Sequence, residues 1–394
     1  MKIVEFSKGG FMQVNVLSGI DQINLGSFKL EKANYGLITA AHARTVDGVA
    51  SRKILNDMGL ITHLFSPEHG LEGVAYAGKS ISAEEDKMTK LPVYSLYQHG
   101  KINDFIPPKI ANEIDGLIYD LPDVGARFYT YIATCLQAVD FCATEDKPLI
   151  ILDRPNPLGG EVVEGLILLE DELSFVGPYT LPNRYALTIA ELAKLYIEEK
   201  NLDIDLIIVP CVGWERDMIF PETDQVFQLP SPNIPDWQAV LLYPGTCMIE
   251  GTNLSEGRGT SRPFSWFGAP YIDQEELFEA LNKLEHPGLA IRPQGFIPSY
   301  SKNKDLHCKG VTLEIVNPKE IRIVKFMVEA INVIRELYPN DFKFLKSGES
   351  TVAFIHKLMG AHFVDDGFLA SDFNNRESAD VQAFIERSKK IRIY

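Results

Sequence analysis

Short apolar runs that alternate with helical stretches constrain the fold more than any other feature of the sequence. The segments between these runs, such as RFYTYIATCLQAVDFCA and LTIAELAKLYIEEK, place apolar residues at helical spacing. Continuous apolar runs are typical of strands buried on both faces of a parallel sheet. We therefore predict an α/β fold with a doubly wound, mostly parallel sheet. The predicted strands are YGLITA (35–40), ITHLF (61–65), GLIYDL (116–121), PLIILD (148–153) and DLIIVP (205–210).

The last third of the sequence has a different pattern. VTLEIVN (311–317) alternates apolar and polar residues, and an amphipathic stretch follows at about 319–338. A chain of 394 residues is also too long for one typical core. We predict a sheet domain over residues 1–267 and a smaller C-terminal domain of helices and strands over residues 268–394.

The net charge argues against one class of partner, and the cysteine content indicates the state of the thiols. The net charge is −16, and no basic cluster is present, which argues against nucleic acid as a partner. Five cysteines are scattered without a C-x-x-C spacing, so we expect reduced thiols. We find no run of 18 apolar residues and no signal-peptide pattern. We expect no membrane segment and a cytoplasmic location, although an exported protein given without its leader would share this pattern.

Loops rich in functional side chains follow four of the predicted strands. SPEHG follows the second, PDVGARFYTY the third, RPNPLGG the fourth and CVGWERD the fifth. Ligands of open α/β sheets bind beyond the carboxyl ends of the strands. We therefore expect these loops to form one site.

Glu68 is the candidate general acid. It lies in LFSPEHGLEG (64–73), where a turn would need the glycine but neither Glu68 nor His69. The alternatives are a glutamate in the first turn of a helix or the partner of an arginine. We expect His69 to orient a ligand by hydrogen bonding. A metal site is disfavoured because no H-E-x-x-H occurs, so we predict neither a metal nor a cofactor.

The loop PDVGARFYTY (122–131) supplies further candidates. Asp123 is a second carboxylate, or it caps the following helix. Arg127 could clamp a carboxylate, or it could pair with Asp123. Tyr129 and Tyr131 offer faces for a sugar ring, or they are core residues.

Other loops carry polar groups suited to recognition of hydroxyls and amides. DRPNPLGG (153–160) presents Asp153, Arg154 and Asn156 on a proline-stiffened backbone, although two of these residues could simply pair with each other. Glu164 follows, and LPSPNIP presents Ser231 and Asn233. The phosphate loop and dinucleotide fingerprints are absent. A sugar or another polar small molecule is therefore the expected ligand.

The loops, taken in order, resemble a known family. SPEHG, DVGARFYTY, LDRPNP, PSPN, GTNLSEGRGT and GAP occur in this order in the bacterial exo-β-N-acetylmuramidases, glycoside hydrolase family 171, once a family of unknown function. The resemblance implies a Rossmann-like domain, a smaller C-terminal domain and a cleft at the strand ends. It implies release of terminal N-acetylmuramic acid from peptidoglycan-derived glycans, with Glu68 as the candidate acid. The other family-typical residues correspond to Asp123, Arg127, Tyr129, Asp153, Arg154, Asn156, Asn253, Glu256 and Arg258.

Two departures from the family pattern keep other functions open. Thr39 is followed by Ala40 where the family usually has asparagine, and Tyr185 stands where the family has histidine. They make a non-catalytic amino-sugar-binding protein plausible. A nucleotide-dependent enzyme on the same fold and a metalloenzyme are further alternatives, independent of these departures.

Within the hydrolase hypothesis, the group that assists Glu68 is undecided. Asp123 is the first candidate for the second carboxylate, with Glu164 and Glu256 behind it, and the 2-acetamido group of the substrate is another candidate. The lactyl carboxylate of muramic acid needs a cation, for which the candidates are Arg127, Arg154 and Arg258.

Overall fold

A computed structural model describes residues 2–5, 11–14, 16–73, 84–97, 105–346, 353–362 and 370–394. The strands are β1 (Lys2–Glu5), β2 (Phe11–Val14), β3 (Tyr35–Thr39), β4 (Ile61–Ser66), β5 (Glu84–Glu85), β6 (Pro92–Ser95), β7 (Gly116–Asp120), β8 (Leu149–Leu152), β9 (Leu206–Val209), β10 (Trp266–Ala269), β11 (Leu289–Phe296) and β12 (Cys308–Ile315). The helices are α1 (Gly19–Asn24), α2 (Ser51–Asp57), α3 (Pro108–Ala111), α4 (Tyr131–Thr144), α5 (Ile189–Lys200), α6 (Trp237–Thr246), α7 (Gln274–Leu281), α8 (Ile323–Leu337), α9 (Phe354–Met359) and α10 (Ala370–Ser388).

The central sheet has the strand order β5-β6-β4-β3-β7-β8-β9. All neighbours pair in parallel except β5 and β6. Counted along the chain, the parallel strands stand in the order 3-2-1-4-5-6, which is the Rossmann order. The predicted fold class is confirmed, and all five apolar runs form strands. Strand β6 was not predicted, because its run LPVY is short and contains a proline.

Successive side chains of the parallel strands enter two different cores. Leu37 packs with Ile118 in the smaller core, beneath helices α1 and α2. Their neighbours Ile38 and Leu117 belong to the larger core, which includes α4 and α5. Both faces are buried because helices cover each of them, which explains why the strands read as continuous apolar runs.

A three-stranded antiparallel sheet lies in the C-terminal part, in the order β10-β12-β11. Its residues Phe267 and Val311 belong to the same large core as Ile38 of the central sheet, as does Phe326 of α8. The two sheets therefore share one apolar interior. The predicted domain boundary at 267/268 lies within β10 and stays a prediction.

The described residues also show the state of the cysteine thiols and whether any of their helices could span a membrane. Cys135, Cys142, Cys211, Cys247 and Cys308 are all free and buried. In the described parts of the chain, every helix is too short or too polar to cross a bilayer.

Candidate active site

Glu68 lies at the carboxyl edge of the central sheet, two residues beyond the end of β4. Its side chain is buried, with 7% of the residue exposed. Thr130, the last residue before α4, donates a hydrogen bond from Oγ1 to Glu68 Oε2 at 2.7 Å. The loops after β4 and β7 thus meet at the acid, as expected for parallel strands that end at one edge.

Glu68 faces a cavity of about 200 Å³, here called the Glu68 cavity. Loops of the central sheet, helix α6 and helix α9 all contribute to its walls. The aromatic lining residues are Tyr97, Phe128, Tyr129, Phe175, Tyr243, Phe264 and Phe354. The polar or charged lining residues include His69, Thr130, Ser231, Asn233, Glu250 and Arg258. An aromatic pocket with few polar groups is typical of a small-molecule site.

The aromatic wall beside Glu68 is held rigidly. Tyr129 Oη donates to the carbonyl oxygen of Pro230 at 2.6 Å, and Tyr131 Oη donates to the same oxygen at 3.1 Å. The ring of His69 lies 6.1 Å from that of Tyr129, between centroids. His69 and Tyr129 therefore share the Glu68 cavity, and Tyr129 presents a fixed ring to a ligand.

Arg258 brings positive charge to the cavity wall. Its Nη1 lies 2.6 Å from Glu250 Oε1 and 3.4 Å from Glu256 Oε1. The guanidinium also lies 5.0 Å above the ring centre of Phe264. Burial alone would lower the pKa of Arg258, but the two carboxylates raise it above its ordinary value. Glu256 also forms an ion pair with Lys302 at 3.1 Å, which holds Glu256 in place beside Arg258.

Asp123 lines a different and smaller cavity, the Asp123 cavity, with a volume of about 80 Å³. Tyr131 stands between the two cavities: its ring stacks on His42 of the Asp123 cavity at 5.6 Å and lies 6.2 Å from His69 of the Glu68 cavity. Pro230 lines the Asp123 cavity and Ser231 lines the Glu68 cavity, so these two residues also lie between the cavities. In the part of the chain that the structure describes, Glu68 and Asp123 are thus not brought together in one cavity.

Hydrogen bonds from the protein hold the carboxyl group of Asp123 in place. Tyr185 Oη donates a hydrogen bond to Asp123 Oδ2, and the amide of Gly125 donates to the same oxygen at 2.8 Å. Burial raises the pKa of Asp123 to about 6, against the opposing effect of these hydrogen bonds. Tyr185, at the position where the family has histidine, therefore anchors the loop after β7.

We expect Asp123→Asn to change how stability depends on pH. The folded carboxyl has a pKa of about 6 and an ordinary value of 3.8, so its contribution to stability is complete below pH 3.8 and is lost as the pH rises to 6. The variant should therefore gain stability relative to the parent over this range, by up to about 1.4 kcal/mol per pH unit. Urea unfolding at several pH values measures this difference, and parallel curves would contradict it.

Arg127 is a fully buried structural residue that lines neither cavity. Its guanidinium donates to the carbonyl oxygens of Leu166 at 3.0 Å and Leu181 at 2.6 Å. It also donates to the carbonyl oxygens of Lys357 at 3.3 Å and Leu358 at 2.7 Å. Burial lowers the pKa of Arg127 to about 9. Among the described residues, Arg127 does not form the predicted pair with Asp123.

The polar residues of the DRPNP loop mainly form hydrogen bonds within the protein. Asp153 accepts hydrogen bonds from the amide of Ala190 at 3.1 Å and from Tyr394 Oη at 2.7 Å. Arg154 lines the Asp123 cavity and donates to both oxygens of Asp120, at 2.7 and 3.1 Å. Burial raises the pKa of Asp153 to about 6.

Asn156 and Glu164 are likewise engaged within the fold. Asn156 Nδ2 donates to the carbonyl oxygen of Leu187 at 2.8 Å. Glu164 forms a buried ion pair of 3.0 Å with Arg184 and accepts a hydrogen bond from the amide of Val324 at 3.1 Å. Neither residue lines the Glu68 cavity.

Two predicted asparagines have different surroundings. Asn233 lines the Glu68 cavity, where its Oδ1 accepts a hydrogen bond from Tyr300 Oη. Asn253 joins two C-terminal segments: its Oδ1 accepts from Tyr271 Oη at 3.1 Å and from the amide of Lys343 at 3.0 Å. Of the two, Asn233 is thus placed to meet a ligand.

Several cavity residues were not predicted as site residues. Thr130 lies within the motif that holds Asp123, and its short polar side chain before a helix was the available signal. Glu250 lies just before GTNLSEGRGT and could have been included with it. Tyr97, Phe175 and Tyr243 come from separate segments, and no local pattern marks them as site residues.

Comparisons with known proteins agree with this architecture. The N-terminal model of the exo-beta-N-acetylmuramidase NamZ family matches residues 35–238, and its C-terminal model matches residues 241–394. The peptidoglycan beta-N-acetylmuramidase NamZ of Bacillus subtilis (strain 168) is 40% identical over 387 residues, which cover 96% of this chain and 91% of that protein.

Two crystal structures of DUF1343 family proteins from Bacteroides fragilis NCTC 9343 have the same fold. One superposes with a TM-score of 0.87 at 30% identity and covers 97% of this chain and 100% of the other. The second has a TM-score of 0.73 at 27% identity, with 96% and 99% covered. The predicted family is therefore confirmed: the chain belongs to the exo-β-N-acetylmuramidase NamZ family.

Proposed function

We propose that this protein is an exo-acting β-N-acetylmuramidase that releases terminal N-acetylmuramic acid from peptidoglycan-derived glycans. Family membership and the 40% identical NamZ relative support this activity. The structural observation that carries it is the buried carboxyl group of Glu68, bonded to Thr130 in a cavity with aromatic walls and a cation.

Glu68 acts as the general acid. Cleavage of a glycoside needs a proton on the leaving oxygen and stabilisation of an oxocarbenium-like carbon. The hydrogen bond from Thr130 orients the carboxyl group toward the cavity. Tyr129 and the neighbouring aromatic rings exclude water and pack against the sugar ring.

The 2-acetamido group of the substrate acts as the internal nucleophile. Among the described residues, the carboxylates that line the cavity are Glu68 and Glu250. Glu250 forms an ion pair with Arg258 at 2.6 Å. Asp123 lines the other cavity, which Tyr131 separates from the Glu68 cavity. A substrate that supplies its own nucleophile needs a carboxyl group of the protein only as the general acid, and Glu68 fills that role.

Arg258 recognises the lactyl carboxylate. Of the three candidate arginines, only Arg258 lines the Glu68 cavity in the described part of the chain, since Arg127 is enclosed and Arg154 faces the Asp123 cavity. Its two carboxylate partners hold the guanidinium in place and keep it charged.

We expect Arg258→Met to reduce the preference for N-acetylmuramyl over N-acetylglucosaminyl aryl glycosides by roughly 10- to 100-fold, the value of a charge-assisted hydrogen bond. The measurement is kcat/KM on both substrates. Arg262→Met is the matched control, because Arg262 pairs with Glu314 at 3.1 Å and does not line the cavity. An unchanged preference in Arg258→Met would exclude this role.

A disaccharide capped with muramic acid at its non-reducing end tests the proposed function. We expect release of free N-acetylmuramic acid as the β-anomer first, because assistance by the acetamido group retains configuration. Nuclear magnetic resonance of the fresh product gives the anomer. Glycan binding without release of sugar would favour the alternative, a non-catalytic amino-sugar-binding protein.

A further inference from the structure

A second cluster of functional side chains lies behind the wall of the Glu68 cavity. In the part of the chain that the structure describes, Glu172, His356 and His362 each offer one ligand atom, and these atoms lie within 4.8 Å of one another. The two histidines belong to helix α9 and the residues after it, and Glu172 belongs to a short 3₁₀ turn. None of the residues proposed to protonate or bind the sugar belongs to this cluster.

We propose that Glu172, His356 and His362 form a binding site for Zn²⁺ that joins helix α9 to the segment after Glu170. Imidazole nitrogen and carboxylate oxygen are the donors that Zn²⁺ takes in proteins. No metal was predicted from the sequence, because no H-E-x-x-H occurs, and these three residues were not among the candidates. The turn and helix α9 bring them together.

The interatomic distances fit a tetrahedral ion. Ligands about 2.0–2.1 Å from zinc are separated from one another by roughly 3.4 Å. Glu172 Oε1 lies 2.9 Å from His362 Nε2 and 3.8 Å from His356 Nδ1. Asp171 Oδ1 lies 3.7 Å from His362 Nε2, outside the group of three but close to it.

Two of the three proposed ligands are already buried. Glu172 and His356 are 4% and 0% exposed, so two donors are already desolvated and held in place. Lys357 Nζ binds the other oxygen of Glu172, Oε2, at 3.2 Å and thereby orients Oε1 toward the histidines. A partner that orients a ligating carboxylate in this way is common around metal ions.

The location explains what the ion would do. Phe175 follows Glu172 closely in sequence and lines the Glu68 cavity, as do Phe354 and Leu358 of helix α9. An ion between the two segments holds these walls together. It stabilises the fold and takes no part in the chemistry at Glu68.

Metal analysis of tag-free protein tests this proposal, since a histidine tag would bind zinc itself. After incubation with ZnCl₂ and dialysis, we expect one Zn²⁺ per chain, and no comparable binding of Mg²⁺, which prefers oxygen donors. Co²⁺ in the site should give the visible absorption of a tetrahedral complex. Parent protein that retains no Zn²⁺ would refute the site.

His362→Gln distinguishes a metal site from a hydrogen-bond network, because glutamine can still donate to Glu172 but is a poor zinc ligand. His362 is partly exposed, at 38% for its side chain, so the variant should fold. We expect its Zn²⁺ affinity to fall at least tenfold, with chelation lowering the Tm of the parent only. His307→Gln is the control, because His307 is exposed and outside the cluster. Equal affinity in the parent and His362→Gln would overturn the proposal.

Discussion

Replacing Glu68 with glutamine is expected to lower kcat on an N-acetylmuramyl aryl glycoside by about 10²–10⁴-fold while the fold stays intact. Glutamine keeps the shape of the side chain and can still accept the hydrogen bond from Thr130 Oγ1. It cannot protonate the leaving oxygen. Steady-state kinetics and thermal unfolding of the same preparation give the two quantities.

The choice of leaving group sharpens this experiment. A leaving group of low pKa departs without protonation, so the loss in Glu68→Gln should shrink markedly with a dinitrophenyl glycoside. Glu72→Gln is the matched control: it lies four residues further along the chain, and its side chain is 63% exposed. A loss of equal size for both leaving groups, or near-normal turnover, would remove Glu68 from the role of general acid.

Replacing Arg127 with methionine is expected to lower the free energy of unfolding by about 3–5 kcal/mol, because buried carbonyl groups lose a charged donor. The guanidinium joins Leu166 and Leu181 to Lys357 and Leu358, which are far apart in sequence. Methionine preserves much of the apolar volume but donates no hydrogen bond. The midpoint and slope of urea unfolding measure the change.

Two comparisons separate this structural role from the binding of substrate. Arg292→Met, at an exposed arginine on β11, should change stability by less than about 0.5 kcal/mol. The folded fraction of Arg127→Met should keep its preference for N-acetylmuramyl substrates. A normally stable variant that has lost this preference would instead place Arg127 at the lactyl group.

The architecture could be predicted because its physical cause is local. A strand covered by helices on both faces is apolar at nearly every position, so a continuous apolar run such as GLIYDL can be recognised as a strand from the sequence. Parallel strands then direct their carboxyl ends to one edge, which correctly indicated that SPEHG and DVGARFYTY lie near each other. β6 was missed because it is short and begins with proline.

The roles of individual side chains in the site depend on longer-range packing. Arg127 and Arg258 both occur in family-typical loops, yet the first is enclosed by carbonyl groups and the second lines a cavity. Glu68 and Asp123 lie in loops at the same edge of the sheet, after β4 and β7, but Tyr131 separates their cavities. No spacing along the chain contains this information.

The sequence by itself determined the sheet, the edge at which its loops gather and the family, because alternating apolar runs and ordered motifs are properties of neighbouring residues. The tertiary structure alone decided which charged groups face a ligand and which hold the fold together. Burial and hydrogen-bond partners make that distinction, and segments hundreds of residues apart supply both, as Lys357 and Leu358 do for Arg127.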